Sequence, residues 1–285
     1  MNEFQVKKSS GDIVDFSTEK LELSLFRAGA SPELIEHIIQ KIKHDYVEGI
    51  TTANIHNKAF HMLRNASYEY AAKYKMKQAI LELGTSGYPF EAYISFLLQY
   101  QGLTTQVGLI MEGDCVKHEV DVYARNEEKE IIVECKHHRT YSYKSDIKVA
   151  LYVHARSNDI ISNLKKAAPD KKYRTWLVTN TRFSKDAIAY GKCHDMYLLA
   201  WDYPKNGNLP DRIRLSGLYP ISCLCSLTKK EKQSLLDKEV VLCRQILEKP
   251  GLLNEINNRK QSKVLKECRE LVGDISNEVQ LKTQS

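Results

Sequence analysis

The chain has 285 residues, 42% of them hydrophobic and 27% charged, with 13 glycines and 7 prolines. This length leaves room for two or more compact domains, and the composition excludes collagen-like, low-complexity and wholly disordered polypeptides. The net charge is +6, and residues 204–285 hold +5 of it with 15 basic against 10 acidic side chains, a balance that suits a polyanion or simply solvated helix faces.

In chain order, Phe4-Gln5-Val6-Lys7-Lys8, a turn signal at Ser9-Ser10-Gly11 and the apolar pair Ile13-Val14 predict a hairpin. Ser17 opens a helix with Leu21, Leu25 and Ala28 on its apolar face. Ser31-Pro32-Glu33 starts a second, with proline at the first helical position and Leu34, Ile38 and Ile42 inward. Thr51-Thr52 starts a third, and residues 68–83 are expected to form a fourth. Gly, Thr and Ser at 84–87 mark a boundary.

From Tyr88 the pattern becomes an α/β alternation: a helix, three strands near 104–111, 118–125 and 130–137, a helix, a strand at 174–180, a helix and a strand at 196–201. After Pro204 the chain reads as polar and helical, with Leu227, Leu235, Leu236, Leu242 and Ile246 among its core positions, and a frayed tail is expected after Asp274. The fold expectation is therefore a multi-domain α/β protein: a hairpin with a helical bundle over 1–84, an α/β sheet domain over 85–203, and a small basic helical unit over 204–285. Seven cysteines in no metal-type spacing predict reduced thiols. No run approaches the roughly 18 apolar residues of a bilayer span, and the first residues lack a secretion signal, so a cytoplasmic location without a membrane partner is expected.

The chemistry concentrates in Glu130-Ile131-Ile132-Val133-Glu134-Cys135-Lys136, a β-branched strand in which an acid and a base sit two apart and so share a face. A two-residue turn at Glu127-Glu128 pairs Asn126 with Lys129, and that register sets Asp121 opposite Glu134. Two adjacent carboxylates repel unless a cation lies between them, and Mg²⁺ or a similar hard ion suits oxygen ligands. Acid-x-Lys also occurs at Glu127, Asp146 and Asp170, so only the apolar strand context distinguishes Glu134. A plain structural ion pair between Glu134 and Lys136 is the competing reading.

Residues 88–203 resemble the PD-(D/E)xK restriction-endonuclease-like superfamily, in particular its Mrr-like branch. The resemblance rests on Tyr88-Pro89-Phe90-Glu91 with Leu97, Leu98 and Gly102, on His118-Glu119-Val120-Asp121-Val122 and Val133-Glu134-Cys135-Lys136, and on residues 178–188. It implies an Mg²⁺- or Mn²⁺-dependent DNA endonuclease in which Asp121 and Glu134 hold the metal, Glu91 completes its shell, and Lys136 serves the attacking water. His118, His137 and His138 are expected to be structural.

Val6-x-Lys8-x-x-Gly11 with Phe16, Lys20 and Thr52-x-x-x-His56 resembles the ATP-cone, a nucleotide-binding regulatory domain. It implies ATP or dATP as effector, contacted by Val6, Lys8, Lys20, Thr52 and His56. Ser9-Ser10 stands where that family usually has Arg-Asp, so one cationic phosphate contact is missing. The segment after Ser226 faintly resembles helix-hairpin-helix units, with Glu239-Val240-Val241 and Pro250-Gly251 in place of the usual glycine-bearing turn. The resemblances together imply DNA and a nucleotide effector as partners and assembly into a homo-oligomer. A nucleotide-responsive DNA-binding protein that does not cut, and a junction-specific nuclease, are the alternatives.

Overall fold

The computed structural model describes residues 4–8, 11–84 and 86–273. Its described residues divide into two compact units: those up to Gln78 with Cys223–Thr228 and 253–273, and those of Ala79–Ser222 with Lys229–Leu252.

In the first unit β1 (Gln5–Lys7) and β2 (Ile13–Asp15) pair antiparallel, Val6 opposite Val14. The expected turn at Ser9-Ser10 lies outside the described residues; at its end Gly11, with φ of +93°, donates its N–H to the Lys8 carbonyl at 2.9 Å. Three helices start where the polar caps predict: α1 (Thr18–Arg27), α2 (Pro32–His44) and α3 (Thr52–Ala66), with Ser17, Ser31 and Thr51 each accepting an N–H three residues on. The fourth predicted helix is interrupted at Lys75, giving α4 (Tyr68–Tyr74) and α5 (Met76–Leu81). Leu21, Leu25, Ile38, Ile42, Ile55 and Leu63 form the core with Val6 and Phe16, and Phe4 stacks on Phe16 at 4.6 Å.

In the second unit α6 (Tyr88–Tyr100) precedes β3 (Thr104–Glu112), β4 (Lys117–Arg125) and β5 (Lys129–Lys136). A short strand β6 (Lys144–Ser145) leads to the crossover helix α7 (Ile147–Ala167) and then β7 (Lys172–Thr179). The order continues through β8 (Arg182–Phe183), α8 (Lys185–Cys193) and β9 (Tyr197–Leu199). The main sheet runs β3-β4-β5-β7-β9, antiparallel through β5 and parallel beyond it. This is the mixed sheet that hairpins followed by a helical crossover must build. Central β5 is covered on both faces, which is why six of its eight residues are buried. On one face Ile160 of α7 packs with Ile132, Tyr123, Val120 and Met111.

The C-terminal residues do not close on themselves as the expected third unit. Helices α9 (Leu209–Ser216), α10 (Lys229–Asp237) and α11 (Cys243–Glu248) lie in the second unit, whereas α12 (Asn258–Val272) lies against α4 in the first. In the first unit buried Glu267 of α12 accepts the N–H groups of Cys225 and Ser226. The turn joining α10 to α11 also departs from expectation. Its Val241 and Leu242 N–H groups both donate to Gln245 Oε1 at 2.8 Å, and that of Val240 donates to the Leu235 carbonyl. Those amides are occupied within the turn, so they do not present themselves to a DNA backbone. All seven cysteines are free thiols. No described helix is long and apolar enough to cross a membrane. The tail after Asp274 falls outside the described residues.

Candidate active site

Strands β4 and β5 carry the site. Asn126 N–H donates to the Lys129 carbonyl at 3.0 Å, and the ladder runs from Arg125 opposite Glu130 to Val122 opposite Val133. The ladder ends there, one step short of the position at which the same register would set Asp121 opposite Glu134. Asp121 Oδ2 instead accepts the Cys135 N–H at 2.7 Å, so a side chain replaces a backbone rung and both carboxylates stay anchored in the sheet. Glu134 and Lys136 share a face as period two requires, with Lys136 Nζ donating to Glu134 Oε1 at 2.6 Å. Neighbouring β7 holds the end of β5, Thr179 donating to the Lys136 carbonyl at 2.8 Å.

Two charged residues here escaped the sequence reading. Arg156 of α7 lies 3.0 Å from Glu134 Oε2 and also donates to the Glu119 carbonyl. The packing explains its place: Ile160 sits over Ile132, and α7 runs back along β5, so one turn earlier Arg156 meets Glu134, two residues on from Ile132. Glu119, two before Asp121 on β4, adds a further negative charge beside Glu91. A cation one turn from the apolar position Ile160 was the only available signal for Arg156.

The electrostatics follow from crowding. Burial, then the charge of Glu134, pushes Asp121 up to about 6. Burial, then Asp121, Glu119 and Glu134, pushes Glu91 up to about 7. Glu91 rises from the first turn of α6, where its Oε1 packs against Gly87 so closely that a Cβ there would meet it at 2.7 Å. Lys136 moves the other way for a lysine in a partly buried place. Burial alone would lower it, but the hydrogen bond to Glu134 and the charges of Glu134 and Asp121 outweigh this and raise it, so it is an ammonium at neutral pH.

Among the described residues no three of His, Cys, Asp and Glu are drawn together as a finished metal-holding group. The donor chemistry nevertheless suits a hard divalent cation: Asp121, Glu134 and Glu91 offer carboxylate oxygens only, and their charges act on one another.

His118, His137 and His138 each have partners of their own. His118 Nε2 pairs with Asp159 at 2.7 Å, and His137 Nε2 lies 3.1 Å from the Ile80 carbonyl. Asn180 ties both backbone polar groups of His138, at 2.8 and 2.7 Å, while its ring stacks on Tyr143.

In the first unit Lys7 bridges Thr51 in parallel and donates to the Ile50 carbonyl at 3.0 Å, which sets the end of β1 beside the start of α3. Lys8 and Thr52 each follow that bridge by one residue, Lys20 lies in the first turn of α1, and all three are exposed. His56 follows Thr52 by one helical turn and stacks on Tyr74 at 4.5 Å; desolvation, then Lys75, lowers its pKa, so the imidazole is neutral at neutral pH. The Val6 side chain is 2% exposed and belongs to the core, leaving only its backbone for a ligand.

A mixed sheet with an acid pair and a lysine on adjacent strands, preceded by a hairpin and helical bundle, defines a restriction-endonuclease-like domain behind an ATP-cone domain. Family comparison agrees: residues 4–78 match the family described as ATP cone domain, 83–203 that described as Restriction endonuclease, and 219–272 that described as AF1548-like, C-terminal. An uncharacterised protein of Archaeoglobus fulgidus is 30% identical over 183 residues, which are 62% of this chain and 98% of the relative. The crystal structure titled as a protein of unknown function, AF1548, superposes with a TM-score of 0.55 at 28% identity, covering 66% of this chain and 99% of the other. The chain belongs to the AF1548-like family.

Proposed function

We propose that this protein is a divalent-metal-dependent DNA endonuclease whose activity responds to ATP or dATP at the N-terminal domain. The observation that carries the reading is the end of the β4–β5 ladder beside Asp121 and Glu134, with the Lys136 ammonium on the same face as Glu134. Asp121, Glu134 and Glu91 would hold Mg²⁺ or Mn²⁺, which when bound polarises a phosphate oxygen and acidifies water. Lys136, kept protonated by its carboxylate neighbours, cannot accept a proton; it orients the attacking water and steadies charge developing on the phosphate oxygens. Cys135, buried and with its thiol pushed up by burial and by Asp121, Glu91 and Glu134, takes no part as a nucleophile. In the first unit Lys8 and Lys20 would meet the phosphates, with Thr52, His56 and the Val6 backbone alongside. Nothing in the sequence resembles a hydrolytic phosphate loop, so the nucleotide is sensed and not consumed.

Supercoiled plasmid incubated with Mg²⁺ or Mn²⁺ and either nucleotide is expected to be nicked. Glu134→Gln and Lys136→Ala should each lower the rate by about 100-fold or more while DNA binding persists. Undiminished cleavage by either variant removes the assignment. Gel retardation without nicking under every metal and nucleotide condition would favour the binding protein instead, a reading that the double ion pairing of Glu134 supports. Branched and linear substrates offered together distinguish a junction nuclease.

A further inference from the structure

We propose that Arg156 is a built-in counter-cation for Glu134, which a divalent ion has to displace, so that Arg156 sets the metal affinity of the site and is released toward nucleic-acid phosphate only once the metal is in place. This rests on the nuclease reading and adds a positioning residue to it.

Glu134 is 6% exposed, and each of its oxygens already serves a cation: Oε1 takes Lys136 at 2.6 Å and Oε2 takes Arg156 at 3.0 Å. A carboxylate so buried would be costly without partners, and the two ion pairs offset that cost. A metal at Glu134 needs one of these oxygens. Lys136 is fixed two residues away on the same strand and lies under the charge of Asp121 as well. Arg156 is held in addition by groups other than Glu134, which would keep it in place if that pairing broke. Its guanidinium carbon lies 5.4 Å from the Tyr152 ring centroid, Nη1 reaches the Tyr152 hydroxyl at 3.5 Å, and the Glu119 carbonyl accepts from Nη2. Tyr152 is 57% exposed, so a guanidinium leaving Glu134 is retained at the surface on an aromatic face, where its planar fork suits a phosphodiester oxygen pair.

The test is Mn²⁺ binding to the full-length protein without DNA, read by electron paramagnetic resonance of free Mn²⁺. Removing the competing ion pair in Arg156→Gln should tighten Mn²⁺ binding about fivefold or more, and the charge-preserving Arg156→Lys should return it toward wild type. Arg156→Met tests the same point should the glutamine variant fold poorly. In the wild type, the Arg156 Nε–H resonance should move as diamagnetic Mg²⁺ is titrated in. Unchanged or weaker Mn²⁺ binding by folded neutral variants, or an Arg156 resonance indifferent to Mg²⁺, overturns the role of Arg156 alone. A wild type that binds no Mn²⁺ sensitive to Glu134→Gln overturns the nuclease reading beneath it.

Discussion

Glu91 ties ionisation to stability. A carboxyl raised from 4.5 to about 7 by folding holds its proton more tightly in the native state, so between those values the native chain binds more protons than the unfolded chain. Stability contributed by Glu91 is therefore full at low pH and declines as pH rises through this window, Asp121 adding the same trend up to about 6. In metal-free buffer the melting temperature should fall from pH 5 to 7, and Glu91→Gln should flatten the upper part of that slope. A slope unchanged in the variant would mean that neither burial nor the neighbouring carboxylates hold Glu91 up in the folded chain. At this scale the placement of Asp121, Glu134 and Lys136 was legible, because a two-residue turn at Glu127-Glu128 leaves one register and period two does the rest. Arg156 was not, because its meeting with Glu134 depends on the phase of α7 over β5, which only the seating of Ile160 fixes.

Elements show where local signals suffice and where tertiary contacts intervene. Polar caps followed by apolar periodicity gave α1, α2 and α3 their starts, since each cap satisfies an otherwise orphaned N–H. The break at Lys75 carries no glycine or proline to announce it. The final helix was expected, but not its attachment, which runs through Glu267, a charged residue that sequence alone would put in water. Its two oxygens serve two backbone N–H groups while the side chain is 1% exposed. Glu267→Ala removes the carboxylate acceptor of both N–H groups and should cost about 2–4 kcal/mol. Chemical denaturation followed at the first unit checks this, and a loss under 0.5 kcal/mol, the size of an ordinary surface substitution, would show that water replaces the carboxylate freely.

For the whole molecule, the order of an ATP-cone followed by a restriction-endonuclease-like domain was legible because each carries its own spaced motif, while the allotment of residues 204–285 was not. Apolar helical periodicity says that a face is buried, not against what. If the first unit senses nucleotide, Lys20→Ala and His56→Ala should weaken ATP or dATP binding about tenfold or more in calorimetry and leave nucleotide-free cleavage unchanged. Equal affinity in both variants would mean that the domain retains its fold without that ligand.

The chain crosses between its two units four times, at 78–79, 222–223, 228–229 and 252–253. No single scission can therefore separate the two units, and the first is not a detachable cassette: excised at Gln78 it would leave behind the helix that leans on α4. A stop codon after Leu252 would likewise spare every residue of the sheet and still strip the opposite end of the polypeptide of its support, so that a lesion near the carboxyl terminus should be felt first as damage to the amino-terminal domain.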